Sequence, residues 1–526
     1  MVIENGAEPP LPDDNPPSGN RKRVAKNTSI YLVSQIVTWL VTFVSIAIIP
    51  RLLGAATLGK LFFVSNLYTT VMVLFQFGID SYLIKEIGRD ARQTERLIRA
   101  TFGLRLAVSL PTALIVWVAL FFSVSKTDAI YWRIFLFSLP GIPMGYLVSA
   151  TRAVFSGAER AKRVMVLDIM TATLPLFCLP FLVAGHIMRD VTILATASLI
   201  ATFIALCVTL RWLRASTRIR PTVDFGLWKR LIQGGLPFVA NNFILYLYAF
   251  ITIYQLNYYA GEASVGVFSQ AQKLFGTFLF VPTALGAALL PSLSRMAGAG
   301  HAEFKRMQAQ VLSLLILLGL PMTVGVMLLA RPLSLLLYRS HQTADFASMP
   351  LTLQVYALII IPMYVVSTMY QFLVAQNRNG LWSGFLLASV GLCVVSGKFL
   401  IPYFRDHYQA GAMGAVAAIL IAETASMLFA FVLLKTNPFD RETLSRVFRA
   451  ALATAAMAIV IFFILRLFYL LPGRLQVAPP ALILELLLCS LLGAGTFAVW
   501  GWILHVLSAE EQEKVTNLIR RKLGKK

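Results

Sequence analysis

Long apolar segments recur along almost the whole chain, and they constrain its fold more than any other feature. Roughly fourteen runs, each of about 20 residues, are long enough to cross a bilayer as a helix; the first covers residues 28–49. Only 13 % of the 526 residues are charged, whereas a soluble chain carries about 25 %. The sequence therefore predicts an all-α integral membrane protein with about 14 transmembrane helices.

Basic residues are concentrated in alternate connections between the predicted spans. Of the 46 lysines and arginines, 34 lie in one set of connections and the two tails, and 9 lie in the other set. This alternation follows the positive-inside rule, so it predicts an even number of spans with both termini in the cytoplasm. It also accounts for the net charge of +22 without a nucleic-acid partner, and it predicts contact with membrane lipids through anionic headgroups.

Proline and charge patterns divide the chain into successive regions. Five prolines and four acidic residues near the amino terminus predict a disordered tail, and a basic linker separates two sets of six spans. The predicted regions are a cytoplasmic tail at 1–27, an N-lobe of helices 1–6 at 28–210, a basic linker at 211–234, a C-lobe of helices 7–12 at 235–435, helices 13–14 at 436–505 and a basic cytoplasmic tail at 506–526.

Two short polar breaks between apolar runs indicate an internal repeat. Residues 54–59 read Gly-Ala-Ala-Thr-Leu-Gly and residues 261–266 read Gly-Glu-Ala-Ser-Val-Gly, so a shift of 207 positions superposes them. Repeats with a cleft between them are the basis of alternating access in many membrane proteins. The repeat therefore predicts a transporter.

Polar side chains inside the predicted spans are candidates for a substrate site, because ionisable groups in hydrocarbon are costly and usually line a cavity. Lys273 lies near the mid-depth of its span, and the 207-residue shift places it on Asn66. The alternative for Lys273 is an ion pair that locks the bundle. Arg51 and Lys398 lie near outer span ends, where they could instead reach outer headgroups. The predicted substrate-binding residues are Lys273, Lys398, Asn66, Asn241, Asn242, Gln270, Gln35 and Arg51.

Three acidic residues are candidates for coupling transport to an ion. Glu423 lies near mid-depth and is the strongest of them, whereas Asp80 and Asp168 lie near cytoplasmic ends, where local ion pairs are the alternative. The four cysteines lie in apolar runs at unrelated spacings, which predicts neither a metal site nor a disulfide framework. The sequence lacks a GxxxxGK[ST] phosphate-binding loop. We therefore predict no catalytic residues, metal or cofactor.

Several short sequences in a fixed order carry a family resemblance. Over about residues 25–435 they resemble the multidrug/oligosaccharidyl-lipid/polysaccharide (MOP) exporter superfamily, and within it the Wzx-type polysaccharide flippases. The matching sequences are Arg51-Leu-Leu-Gly54, Phe77-Gly-Ile-Asp80, Arg220-Pro-x-x-Asp224, the block Tyr259–Gln272, Leu290-Pro-Ser-Leu-Ser-Arg295 and Gln376-Asn-Arg-Asn379.

The resemblance implies two pseudosymmetric six-helix lobes around a central cavity, as in MATE transporters, with two C-terminal helices added. It further implies a flippase that moves undecaprenyl-diphosphate-linked oligosaccharides across the bacterial inner membrane, with glycosyltransferases and a polysaccharide polymerase as partners. Lys273 and Lys398 would then meet the diphosphate, and the asparagine and glutamine side chains would meet the sugar.

Three other functions are alternatives to this one. A drug or cation antiporter of the same fold would need an acidic, aromatic cavity. A membrane enzyme would need catalytic acids or a metal motif on a large external loop. A lipid II flippase would share the mechanism and differ in the headgroup it carries. The cations at mid-depth favour an anionic lipid substrate.

Overall fold

The computed structural model describes residues 18–124, 128–178, 191–214, 221–279, 301–338, 343–375, 379–434, 441–470 and 478–506, with isolated positions elsewhere. All regular secondary structure in these ranges is helical. The sequence from Leu290 to Arg295, residues 376–378, and most of the predicted tails lie outside the described ranges.

Fourteen α-helices follow one another in the described part of the chain. Nine are long and apolar enough to span a membrane, and α4 and α5 form one further span with a 44° bend. The first half contains α1 (Ser18–Phe75), α2 (Ile79–Arg89), α3 (Thr94–Ser123), α4 (Ala129–Ser138), α5 (Gly141–Gly157), α6 (Ala161–Thr173) and α7 (Val191–Arg214). The second half contains α8 (Phe225–Gly276), α9 (His301–Tyr338), α10 (Met349–Ala375), α11 (Asn379–Tyr408), α12 (Gly411–Leu434), α13 (Arg441–Tyr469) and α14 (Pro479–Ile503).

The helices α1 and α8 each consist of two segments joined at a single glycine. Gly54 adopts φ 75° and ψ 169°, and Gly261 adopts φ 76° and ψ 176°. Side chains are strained at such a positive φ, so glycine permits this sharp turn. The matching angles at positions 207 residues apart confirm the predicted repeat. We name the segments α1a (residues 18–53), α1b (55–75), α8a (225–260) and α8b (262–276).

The predicted span count of about 14 fits this architecture. The nine candidate spans lie in α1, α3, α7 and α9 to α14, and the α4–α5 pair adds one. Counting α1 and α8 as two segments each, and α6 as one, gives a total of 14 for the described helices. We call the end of the bundle with Gly54 and Gly261 the turn face. The opposite end, where α2 and α8 begin, is the basic face.

The first helix begins earlier than the predicted boundary at residue 28. It starts at Ser18, and residues 18–27 are helical in continuity with α1a. Lysine and arginine are good helix formers, so the basic run after Gly19 continues the helix outward. Residues 1–17 lie outside the described ranges.

The basic linker is packed against the first lobe. The Asp224 carboxylate accepts a hydrogen bond from the Leu227 amide at 2.9 Å, which caps the start of α8. Trp228 Nε1 donates to the Ala100 carbonyl at 3.0 Å, and Leu231 is fully buried in a first-lobe cluster. The start of α8 therefore belongs to the contact between the lobes.

Candidate functional site

Two seams join the lobes, and the seam between α1b and α8a is closed along its length. The rings of Phe63 and Phe250 lie 5.9 Å apart, and Thr70 Oγ1 donates to the Tyr246 carbonyl at 3.3 Å. At the basic face, a Cβ added to Gly78 would lie only 2.3 Å from the carbonyl oxygen of Gly235. The three contacts run from the turn face to the basic face, so this seam leaves no lateral entrance.

The second seam, between α1a and α8b, differs from the first on its α1a side. The repeat equates Phe43 with Phe250 of the closed seam, yet Phe43 is 47 % exposed. Leu40, one turn nearer the basic face, is 64 % exposed, and Gln35 is also exposed. We interpret this difference within the described residues as an open seam, and we call the space beside α1a the cleft.

Arg51 closes the turn face. Its guanidinium donates hydrogen bonds to the carbonyl oxygens of Leu336 and Leu337, at 2.8 Å for Leu337. These carbonyls end α9, where the helix dipole favours a cation. The Ala55 amide also donates to an Asp345 carboxylate oxygen at 3.3 Å. Arg51 therefore bridges the lobes at the turn face, away from the cleft at the basic end.

A second cluster of polar side chains lies at the turn face, and its residues are not among the predicted site residues. Lys60 forms a salt bridge with Asp128, and its ammonium lies 5.6 Å from the centre of the Tyr131 ring. Tyr131 donates from its hydroxyl to Glu262 of the other lobe at 3.4 Å. Only the repeat could have drawn attention to Glu262, because the shift places it on Ala55 beside the first kink.

Lys273 lies on the exposed side of α8b. Its neighbours Ala271 and Leu274 are buried in the core, which turns Lys273 and Gly276 to the opposite side. The Lys273 side chain is exposed. Within the described residues no hydrogen bond or ion pair holds its ammonium.

The predicted amides do not form one cluster. Gln270 is 2 % exposed, packs inside the core and donates to Ser269 Oγ at 3.2 Å. Half-buried Asn66 donates to the Phe62 carbonyl of its own helix at 2.9 Å. Gln35 and Asn242 are exposed, and Asn241 lies on α8a next to Asn242. Among the amides whose side chains the structure describes, Gln35, Asn242 and part of Asn66 are therefore accessible to a substrate.

Lys398 lies on the outer surface of α11. Val395 and Phe399 on the same side of the helix are 59 % and 66 % exposed, and the Lys398 ammonium lies 6.0 Å from the Phe399 ring centre. A different side of α11 packs on α8a: a Cβ added to Gly397 would lie 2.8 Å from Gln255 Oε1, and Gln255 Nε2 donates to the Val394 carbonyl at 2.9 Å. The structure therefore separates Lys398 from Lys273.

Glu423 lies inside the second lobe beside α8a and α11. It is half-buried, and its electrostatic neighbours include Tyr248 and Cys393. The Tyr248 hydroxyl is buried and has no hydrogen-bond partner, and Thr252 Oγ1 lies 3.6 Å from Cys393 Sγ. Within the described part of the chain, no ion pair holds the Glu423 carboxyl group.

Asp80 and Asp168 are held in ion pairs. Asp80 accepts from Arg105 Nη2 at 2.7 Å and from the Ser149 hydroxyl. Arg105 is fully buried, and its Nε and Nη1 atoms lack partners. Arg105 is one of the 34 basic residues that the sequence assigns to connections and tails, because its position next to a basic run gives no indication of burial.

Asp168 pairs at the basic face with Arg152, whose Nη2 lies 3.0 Å from one carboxylate oxygen.

All four cysteines are free thiols, and three of them are buried, whereas Cys207 is exposed. Among the residues that the structure describes, no group of three histidine, cysteine or acidic side chains could hold a metal ion.

An apolar groove lies between α9, α13 and α14. It encloses about 580 Å³ and is lined by Met322 of α9, Met457 of α13, Phe497 of α14 and Phe278. Phe278 follows Lys273 by five residues along the chain. The groove therefore reaches the segment that follows α8b from the side of the two C-terminal helices.

Comparisons with known proteins give this architecture a family. A family described as "Polysaccharide biosynthesis protein" matches residues 24–297, just over half of the chain. The chain belongs to this polysaccharide biosynthesis family. A second family, MatE, matches residues 237–400, so the second lobe also carries the features of a MOP-superfamily half.

Two solved structures show the same fold. The lipid II flippase MurJ in its inward closed conformation superposes with a TM-score of 0.69 and 13 % identity, covering 91 % of this chain and 99 % of that one. An inward-facing multidrug resistance MATE transporter superposes with a TM-score of 0.63 and 14 % identity, covering 76 % of this chain and 94 % of that one. The fold of this family member is therefore that of the MOP superfamily, as the sequence predicted.

One curated relative is the "Probable flippase AglR" of Haloferax volcanii. It is 24 % identical over 284 residues, which cover 53 % of this chain and 54 % of that protein. The chain thus spans about half the length of the curated relative it matches. These relatives are flippases and transporters by name.

Proposed function

We propose that this protein flips an oligosaccharide linked to undecaprenyl diphosphate between membrane leaflets by alternating access. The observation that carries the proposal is Lys273, an exposed cation on α8b that has no counter-ion among the described residues. A lipid diphosphate supplies the anion that such a cation lacks, and an ammonium in a low-dielectric cavity binds it strongly.

The open seam favours a lipid-linked substrate. A lateral cleft next to α1a admits a headgroup while its prenyl tail stays in hydrocarbon, which avoids exposing each CH₂ to water at a cost of about 0.8 kcal/mol. The apolar groove near Phe278 is a second place for the tail, five residues beyond the cation. A small cationic drug would use neither feature.

The direction of transport follows from charge. The basic face carries most lysines and arginines, so the positive-inside rule assigns it to the cytoplasm of a bacterial inner membrane. The headgroup would enter at the open cytoplasmic end, and the contacts of Arg51 and Glu262 would then break to release it outward. Sugar hydroxyls would meet Gln35 and Asn242.

Glu423 is our proposed coupling residue. Protonation would remove its charge beside Tyr248 of α8a, and α8a forms half of the closed seam. A change at Glu423 can therefore bias how the second lobe holds the first. Asp80 and Asp168 are less suited, because arginines already neutralise them.

Lipid II is the second candidate substrate. The match to the MurJ structure covers 91 % of this chain, so the unmatched part is too short to contain both α13 and α14. The match to the MATE structure covers only 76 % of this chain. The similarity thus extends into the helices that line the apolar groove. The two candidates differ in the headgroup and share the prenyl diphosphate.

The test is a flipping assay in proteoliposomes with undecaprenyl-diphosphate-linked sugars and, in parallel, lipid II. We expect Lys273→Ala to reduce flipping strongly and Lys273→Arg to retain a part of it. Lys398→Ala is the matched control, because Lys398 lies on the outer surface, and it should flip normally. Full flipping by Lys273→Ala would remove the cation from the mechanism, and transport of lipid II alone would replace the first substrate by the second.

A further inference from the structure

A basic pocket lies on the first lobe, remote from the cleft. It encloses about 650 Å³ at the basic end of α7 and is lined by Arg163, Arg211, Arg214, Trp212, Leu210 and Cys207. None of these lining residues is acidic. Three guanidinium groups around one cavity create a local positive field that requires an anion.

Arg163 is held ready for such an anion. Its guanidinium lies 5.2 Å from the ring centre of Phe155 and 5.7 Å from that of Trp212, so the two rings fix its plane. Its Nη1 atom is buried without a hydrogen-bond partner.

A separate apolar cavity lies along the same helix. About 620 Å³ of mainly apolar space lies between α4, residues 174–178 and α7, and it is lined by Phe137, Phe177 and Ile204 among others. Ile204 and Cys207 are three residues apart and so lie on one side of α7. Ile200 and Phe203 nearby are each about half exposed, at 52 % and 51 %.

We propose that α6 and α7 bind one anionic glycerophospholipid, with its phosphate among Arg163, Arg211 and Arg214 and an acyl chain in the apolar cavity. The distance fits: from Arg211 to Ile200 the helix rises by about 16 Å, which is about the thickness of one leaflet's hydrocarbon. Basic pockets between helices at the cytoplasmic side of membranes bind such headgroups. This lipid would be a resident of the first lobe, distinct from the transported substrate in the cleft.

Cys207 provides the test, because it lines the pocket and is exposed, whereas Cys178, Cys393 and Cys489 are buried. The full-length protein is placed in nanodiscs of phosphatidylcholine, alone or mixed with phosphatidylglycerol, and the rate of Cys207 labelling by an uncharged maleimide is measured. Cys207→Ser defines the background. We expect phosphatidylglycerol to slow labelling about fivefold or more, as one contact between a basic residue and an anionic lipid can account for.

The double variant Arg163→Gln/Arg211→Gln should label at the neutral-lipid rate in both membranes. Lys85→Gln/Arg89→Gln is the matched control, because it removes the same charge from exposed positions on α2 and should keep the protection. Equal rates in the two membranes, or equal loss of protection in both double variants, would overturn the proposal. Inorganic phosphate that protects Cys207 in phosphatidylcholine nanodiscs as well as phosphatidylglycerol does would replace the lipid by a soluble anion.

A second measurement does not depend on any variant. Native mass spectrometry of the wild-type protein extracted from the mixed membrane should show one phosphatidylglycerol retained in preference to phosphatidylcholine. Equal retention of the two lipids would contradict an arginine-lined phosphate site.

Discussion

Gly59 and Gly266 each lie against the backbone of the opposite lobe. A Cβ on Gly59 would lie 1.8 Å from the Glu262 carbonyl oxygen, and a Cβ on Gly266 would lie 2.0 Å from the Ala55 carbonyl oxygen. The 207-residue shift relates Gly59 to Gly266 and also Ala55 to Glu262. The two contacts are therefore the same contact made twice, as a twofold axis requires.

This reciprocal contact predicts the effect of one added methyl group. Gly59→Ala and Gly266→Ala should each force the turn face apart, at a cost of about 1–3 kcal/mol for overpacking. We expect the two variants to lower the thermal unfolding midpoint by similar amounts. Gly391→Ala is the control, because nothing lies within 4 Å of a Cβ at that exposed helical position. Unfolding midpoints that match this control would show that the lobes do not touch there.

The Arg51 bridge predicts a shift toward an open turn face. Arg51→Ala removes hydrogen bonds to Leu336 and Leu337, which contribute about 1 kcal/mol for an exposed arginine. An Ala55→Cys reporter, buried in the closed state, should then react about fivefold faster with a water-soluble maleimide. Unchanged reactivity would mean that Arg51 only caps α9 and does not hold the lobes together.

The buried pair of Arg105 and Asp80 predicts a large loss of stability. Arg105→Met leaves the Asp80 carboxylate without its counter-ion, which costs about 3–5 kcal/mol when the pair is buried. Arg105→Met/Asp80→Asn should recover most of the unfolding midpoint. Arg152→Met removes the partner of Asp168, but Arg152 has a side chain that is 54 % exposed, so it should cost no more than about 1 kcal/mol. If Arg105→Met and Arg152→Met unfold alike, Arg105 is not buried as described.

The position of Glu423 predicts a separation of flipping from coupling. Glu423→Gln keeps the side chain's shape and abolishes its titration, so we expect flipping to become independent of pH and of the ion gradient while substrate binding persists. The measurement is flipping in proteoliposomes with and without an imposed gradient. Glu485→Gln on α14 changes a carboxyl group outside the second lobe and should leave the gradient dependence intact. A gradient response that survives in Glu423→Gln would assign coupling to another group.

Sequence alone predicted the features that depend on local rules. The repeat could be predicted because two short polar breaks, at Gly54 and Gly261, are 207 residues apart in the sequence. Each break contains a glycine because the turn there has a positive φ. Depth could also be counted, since each helical residue rises by about 1.5 Å. These rules sufficed for the class of fold and the approximate number of spans, and the depth of Lys273 in the membrane stays a prediction.

Orientation around a helix axis was harder to predict. Lys398 and Lys273 both lie in apolar runs, but only packing against α8a shows that Lys398 points to the outer surface. Gln270 and Lys273 are three residues apart on α8b and were both predicted to face the substrate. The direction in which each side chain points around the helix axis differs, so that Gln270 is buried. From the sequence, Arg105 is assigned to a connection. The turn at Gly78, which brings Asp80 close to Arg105, cannot be recognised from the hydropathy of the sequence.

The closed seam between α1b and α8a limits how the lobes can move. Contacts along its whole length make this seam a hinge, so the two lobes can rotate about it but cannot slide apart. Displacements then grow with distance from the hinge and are greatest near Leu40. Spin labels or fluorophores that follow the transport cycle should therefore be placed near Leu40, and label pairs placed along the hinge should report almost no change.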